Sequence, residues 1–164
     1  MDLGFDHKFR KNAARYVIQC AVAGIMAMVF LMFLGVLQHI GVVAALGATT
    51  FMIFTMPHRV SSGPRYVVGG YLMGTLSGVF CNLLFLGPNA PLPMPGLFVM
   101  GAMSVGIASL LMVSTNTEHP PACGLALGLV LQQWDYRAIL YMLGGVCFLS
   151  LSRYLLRKWL IDLL

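Results

Sequence analysis

The chain has 164 residues, 59% of them hydrophobic and 9% charged, with a net charge of +5. Soluble domains carry about 25% charge, and a chain of this length cannot hide so much apolar surface from water. An ordinary soluble globule is therefore excluded, and long apolar runs without alternation point to a polytopic bundle of membrane helices rather than a barrel.

The chain divides into a polar, basic tail over residues 1–12 and a single transmembrane domain over 13–164. Span one is predicted from about Ala13 to Leu37. It is long and has no small-residue cleavage pattern after it, so it reads as a permanent span rather than a signal peptide. "QHIG" interrupts it, and a short apolar segment from Val42 to Met56 follows, ended by Pro57. After the loop "PHRVSSGPR" comes a glycine-rich span, Tyr66 to Leu86. The uncharged, proline-rich loop "GPNAPLPMPG" leads to span four, Leu97 to Val113. "STNTEH" precedes a second short segment, Pro120 to Gln132. "QWDYR" then opens the last span, Ala138 to Leu156.

Crossing a hydrocarbon core of about 30 Å takes about 20 helical residues. The two short segments fall below that, so they cross only if flanking irregular backbone also sits at membrane depth, buried in protein or lining a cavity. With six crossings and a cytoplasmic N-terminus, Lys8, Arg10, Lys11, Arg15, Arg59, Arg65, Arg153, Arg157 and Lys158 face inward and only Arg137 faces outward. That asymmetry fits the positive-inside rule and places both termini in the cytoplasm. The order long, short, long then repeats. Three crossings per half make the second half enter from the opposite side, the pattern of a 3+3 inverted repeat with halves near 13–86 and 97–158 and a short, broken helix in each.

Chemistry-bearing residues gather in "TNTEHPPACGLALG", Thr115 to Gly128. Pro120 and Pro121 suit the start of a helix. The remaining N–H groups of that end, at Ala122 and beyond, would form an anion site with His119 beside it. The plainer alternative is that the prolines only stop and restart a helix. In the first half, Gly47 allows a break and Thr49 or Thr50 would cap a helix or offer hydroxyls to a ligand. Alternatively, these threonines bond back to their own helix. Arg59 and Arg65 are either topology charges or an electropositive mouth that concentrates anions. Glu118, the one glutamate, is the candidate for proton coupling.

Gly70, Gly74 and Gly78 form a small-residue packing face. The four cysteines, Cys20, Cys81, Cys123 and Cys147, lie in apolar runs without CxxC spacing and read as buried packing thiols. No metal site, cofactor or enzyme is asked for by any spacing, and the charge pattern does not suggest nucleic acid.

These stretches resemble the HPP family of integral membrane proteins. The resemblance rests on His119-Pro120-Pro121-Ala122, on "LGATTFMIF", on Pro57 with the "SSGPR" loop, and on "VVGG" after it, in the family's order and covering most of the chain. It implies a small transporter, with some plastid and cyanobacterial members associated with nitrite. The expectation is a carrier or channel for a small inorganic anion in the lipid bilayer. Facing helix N-termini would bind it near the midplane. Passage of another solute, such as a cation using Glu118, and a non-transporting sensor or scaffold are the alternatives. A bundle of this size barely encloses a pathway, which is compatible with a homo-oligomer.

Overall fold

The computed structural model describes residues 7–34, 40–85, 94–132 and 136–163. Within them the chain is helical: α1 (His7–Leu34), α2 (Ile40–Thr55), α3 (Pro64–Phe85), α4 (Met94–Thr115), α5 (Pro121–Leu131) and α6 (Tyr136–Leu156), with a 3-10 turn at Val60–Ser62. Four helices, α1, α3, α4 and α6, are long and apolar enough to cross a membrane. The short ones have 16 and 11 residues, or about 24 and 16 Å. The expected breaks at residues 38–39, 87–93 and 133–135 lie outside the described residues.

Local chemistry sets the ends. α1 begins at His7, inside the expected tail, but Asn12 leaves helical geometry (φ −129°, ψ 25°) where that tail was expected to end. α2 stops two residues before Pro57, since a residue preceding proline is pushed out of the helical region. Pro64 and Pro121 each open a helix, where the missing N–H costs nothing. α4 ends in a Schellman motif: Asn116 takes φ 52°, its N–H reaches Val113 O, and the N–H of Thr117 reaches Met112 O.

Named contacts give the direction of each helix. Gln19 in α1 reaches Phe54 O at the end of α2, so these two run antiparallel. Gly41 of α2 meets Gly128 of α5 while Thr49 meets His119 just before α5, so this pair is antiparallel too. Ser77 of α3 bonds Ser104 O of α4, and Gly70, Gly74 and Gly78 meet His119, Ala122 and Ala126 in register, so α3 and α5 run parallel. Gly101 of α4 meets Leu127 of α5 while Ser109 meets Cys123, so α4 opposes α5, and Arg153 near the end of α6 reaches Pro57 just past the end of α2, so the segments alternate along the bundle. In contact order, α1, α2, α5 and α4 form a row, with α6 and α3 packed behind it. Exchanging the first three helices for the last three turns α1–α2 into α4–α5, α3–α5 into α6–α2 and α3–α4 into α6–α1; α2–α5 and α3–α6 map onto themselves.

The core between the layers holds Phe54, Val67, Tyr71, Leu125, Leu129, Met142, Val146 and Leu149, all almost fully buried. The four cysteines are free; Cys81 is buried and Cys123 half-buried, but Cys20 and Cys147 face outward. The expectation of uniformly buried thiols is corrected there. An apolar run in a membrane helix has no need to turn inward, because lipid accepts what water rejects.

One end of the bundle carries the start of α1, the 56–63 loop, the α4–α5 connection and the segment after α6. Tyr16 donates to Leu163 O across it. The nine clustered basic residues belong to elements of this end, whereas Arg137 opens α6 at the other.

Candidate functional site

Three separate stretches converge on the imidazole of a fourth. His119 is wholly buried. Its Nδ1 lies 3.0 Å from Ser61 O, and its Nε2 lies 2.9 Å from Thr49 Oγ1. Thr49 Oγ1 is also 2.8 Å from the hydroxyl of Tyr71, whose ring centroid is 5.6 Å from that of His119. A carbonyl only accepts, so Nδ1 carries the proton and donates to Ser61. Nε2 of the neutral ring then accepts from Thr49, and Thr49 accepts from Tyr71. Each hydrogen bond has a donor and an acceptor without charging the ring.

The glycines of α3 make this approach feasible. A Cβ on Gly70 would stand 2.6 Å from His119 Cβ, and one on Gly74 would stand 2.5 Å from Ala122 O. Gly69 likewise receives Thr117, which would be 2.5 Å from an added Cβ. A Cβ at Gly70 or Gly74 would crowd His119 Cβ or main-chain Ala122 O, which move only with their backbone, so these glycines are what let the "EHPPA" stretch lie flat on α3. Counted along α2 and α3, Thr49 and Tyr71 sit about 10 Å in from the basic end.

Outside this cluster a cavity of about 510 Å³ opens at the same end, lined by His58, Arg59, Ser61, Tyr66, Glu118 and Pro120 among others. Ser61 and Pro120 belong to both: one supplies the carbonyl that holds His119, the other follows it in the chain. The cavity therefore borders the buried cluster through these residues. Among the described residues, no group of three or more His, Cys, Asp or Glu side chains is placed to hold a metal ion.

Three expectations are corrected. First, α2 begins at Ile40 and runs unbroken through Gly47, which is exposed with open space where a Cβ would go. No helix starts at Thr49 or Thr50. Thr50 bonds back to Leu46 O at 2.9 Å, whereas Thr49 turns inward. Second, the two N-termini do not face each other. The antiparallel pairing puts the start of α2, at Gly41, against the far end of α5. Third, the start of α5 offers few free donors. Pro121 has no N–H, Ala122 N donates to His119 O at 2.9 Å, and Cys123 N donates to Pro120 O at 3.0 Å. The tight turn made by the prolines uses the groups an anion would need.

Glu118 is exposed on the cavity wall rather than buried at depth. Arg59 lines the same cavity, and Arg65 is exposed in the first turn of α3. Tyr71 was missed. It follows "VVGG" directly and is wholly buried; a polar ring next to two glycines inside a span was the available signal.

The family described as HPP, transmembrane region, matches residues 8–160. The chain belongs to the HPP family. The four stretches that carry the resemblance meet at His119: those of Thr49, Ser61 and Gly70, and the His-Pro-Pro run itself. No curated protein and no solved structure matches the chain.

Proposed function

We propose that this HPP protein is a small transporter or channel that passes a small inorganic anion such as nitrite between α2, α3 and α5. The observation that carries the reading is the polar route at the basic end: an open cavity bearing Arg59 and His58, floored by Ser61 and Pro120, with the buried Tyr71–Thr49–His119 chain behind them. A hydroxyl, a phenol and an imidazole at a helix junction are costly in an apolar bundle unless used. Here they stand in a closed arrangement, and opening would free Thr49, Tyr71 and the Nε2 side of His119 to meet the solute. The basic end is the cytoplasmic one on this reading, by the positive-inside rule. The contact pattern, which maps onto itself when the halves are exchanged, supports an inverted repeat with α2 and α5 as counterparts. In this role Glu118 acts at the mouth, taking up or releasing a coupled proton. No catalytic step is part of this function.

Purified protein in liposomes, offered nitrite, nitrate and chloride at matched gradients, tests the reading. Nitrite flux above empty liposomes is expected, and Arg59→Gln is expected to lower it more at low ionic strength than at high, because an exposed charge is screened by salt. Absence of flux for every anion from monodisperse protein removes the proposal. Rubidium flux abolished by Glu118→Gln replaces it with cation passage.

A further inference from the structure

After α6 ends at Leu156 the chain turns through residues 157–159 and lies across the basic end as a short strap, Leu160 to Leu163. Its bonds are specific. Ile161 N donates to Gln19 Oε1 at 3.2 Å, and Gln19 Nε2 donates back to Ile161 O at 2.7 Å while also reaching Phe54 O. Leu163 N donates to Thr55 O at 2.8 Å, and Tyr16 donates to Leu163 O. Asp162 accepts from His58 N at 3.0 Å, and its carboxylate lies 3.5 Å from His58 Nδ1. Leu160 and Leu163 are buried beneath. Just before the strap, the buried Arg153 donates to Pro57 O.

These partners share a destination. Thr55, Pro57 and His58 form the end of α2 and the start of the loop whose next residues are the cavity wall and Ser61, the carbonyl that holds His119. A bonded run therefore leads from the strap through the loop to the closed cluster. We propose that the Leu160–Leu163 strap is an autoinhibitory clasp: bound, it pins the 57–62 loop and keeps the Thr49–His119 contact shut; released, it lets that loop and the end of α2 swing away. This rests on the transport reading above. Release is within reach because the outer attachment is weak. His58 is exposed and Asp162 only half-buried, and ion pairs so open to solvent hold little free energy.

Two measurements on the whole 164-residue chain test the clasp. Amide hydrogen exchange over residues 55–62 reports the loop, and nitrite flux in liposomes reports the pathway. Asp162→Ala leaves the core untouched and removes the acceptor for His58; Gln19→Ala removes the inner attachment. Asp162→Ala is expected to raise exchange over 55–62 by roughly two- to tenfold, the factor for one lost hydrogen bond, and Gln19→Ala, which loses three, by more; flux is expected to rise in step. The pair His58→Cys with Asp162→Cys, oxidised, is expected to stop flux, with full recovery in reductant. Faster exchange with unchanged or lower flux makes the strap a stabilising tail and overturns the clasp. Unchanged exchange overturns it as well. No flux from wild type or any variant instead removes the transport reading, and the clasp's regulatory role with it.

Discussion

Helix α5 lies against α3 backbone to backbone along most of its length, whereas α2 meets α5 closely at Gly41 and is tied down at its other end by side-chain hydrogen bonds. In α5, seven of the eleven residues are buried, and each step along the α3 glycines meets main-chain or Cβ atoms. In α2, Ala44, Gly47, Ala48 and Phe51 form an outward face, and the inward face is held by Thr49 and by Gln19 across the gap to α1. Backbone contact is rigid, because nothing can yield without moving a helix. A hydroxyl–imidazole contact can be broken and remade. The difference makes α5 the more tightly fixed of the two and leaves α2 held by bonds that can be exchanged.

The strongest way to break this contrast is at the glycine seam. Gly74→Val puts side-chain atoms into Ala122 O, and overpacking against fixed backbone costs about 3 kcal/mol or more. Tm in detergent should fall by roughly 6–12 °C, or no monodisperse protein should be recovered. A wild-type Tm would mean that α5 is not pinned to α3.

His119→Ala comes next. It strands Ser61 O and Thr49 Oγ1 and leaves a hole, a loss of about 2–4 kcal/mol in stability. Gln at the same position should recover part of it, and thermal unfolding of both variants measures this. If His119 serves the solute as well, nitrite affinity of the folded Ala variant falls by about ten- to a hundredfold. Normal affinity in folded protein leaves His119 a brace alone.

Thr49→Val keeps the shape and removes the central hydroxyl of the chain, for an expected loss of about 1–2 kcal/mol. In a double-mutant cycle with Tyr71→Phe, the two changes should be coupled by about 0.5–1.5 kcal/mol. Additive effects in unfolding would show that Tyr71 and Thr49 do not share a bond.

The smallest effect carries the opposite sign. Gly47→Ala adds a methyl where nothing stands within 4 Å and removes backbone freedom from a helix interior, so it should stabilise by about 0.5–1 kcal/mol. A loss like that at Gly74 would mean Gly47 is packed against something, and α2 would then resemble α5 after all.

Hydropathy and proline placement determined the number, order and approximate limits of the helices, since each is a property of a local window: Pro57 near the end of α2, Pro64 and Pro121 at helix starts, two segments too short to span alone. The helix directions alternate, which is compatible with the six crossings that the basic residues suggested; four of the six helices are long and apolar enough to cross by themselves. The same local signals failed at Gly47, where a glycine that permits a break does not compel one inside an apolar helix. They failed again at the start of α5, where helix-end donors were expected free and the preceding carbonyls had taken them. Tertiary structure alone decided that Thr49, Ser61, Gly70 and Tyr71 meet at His119, that Glu118 stands at a mouth rather than at depth, and that residues 160–163 close over the end of α2. Each depends on pairs far apart in the chain, 70 residues between Thr49 and His119 and 142 between Gln19 and Ile161. Apolar periodicity records which residues leave water, but a hydroxyl or an amide takes its partner from whichever strand of backbone the packing brings within 3 Å.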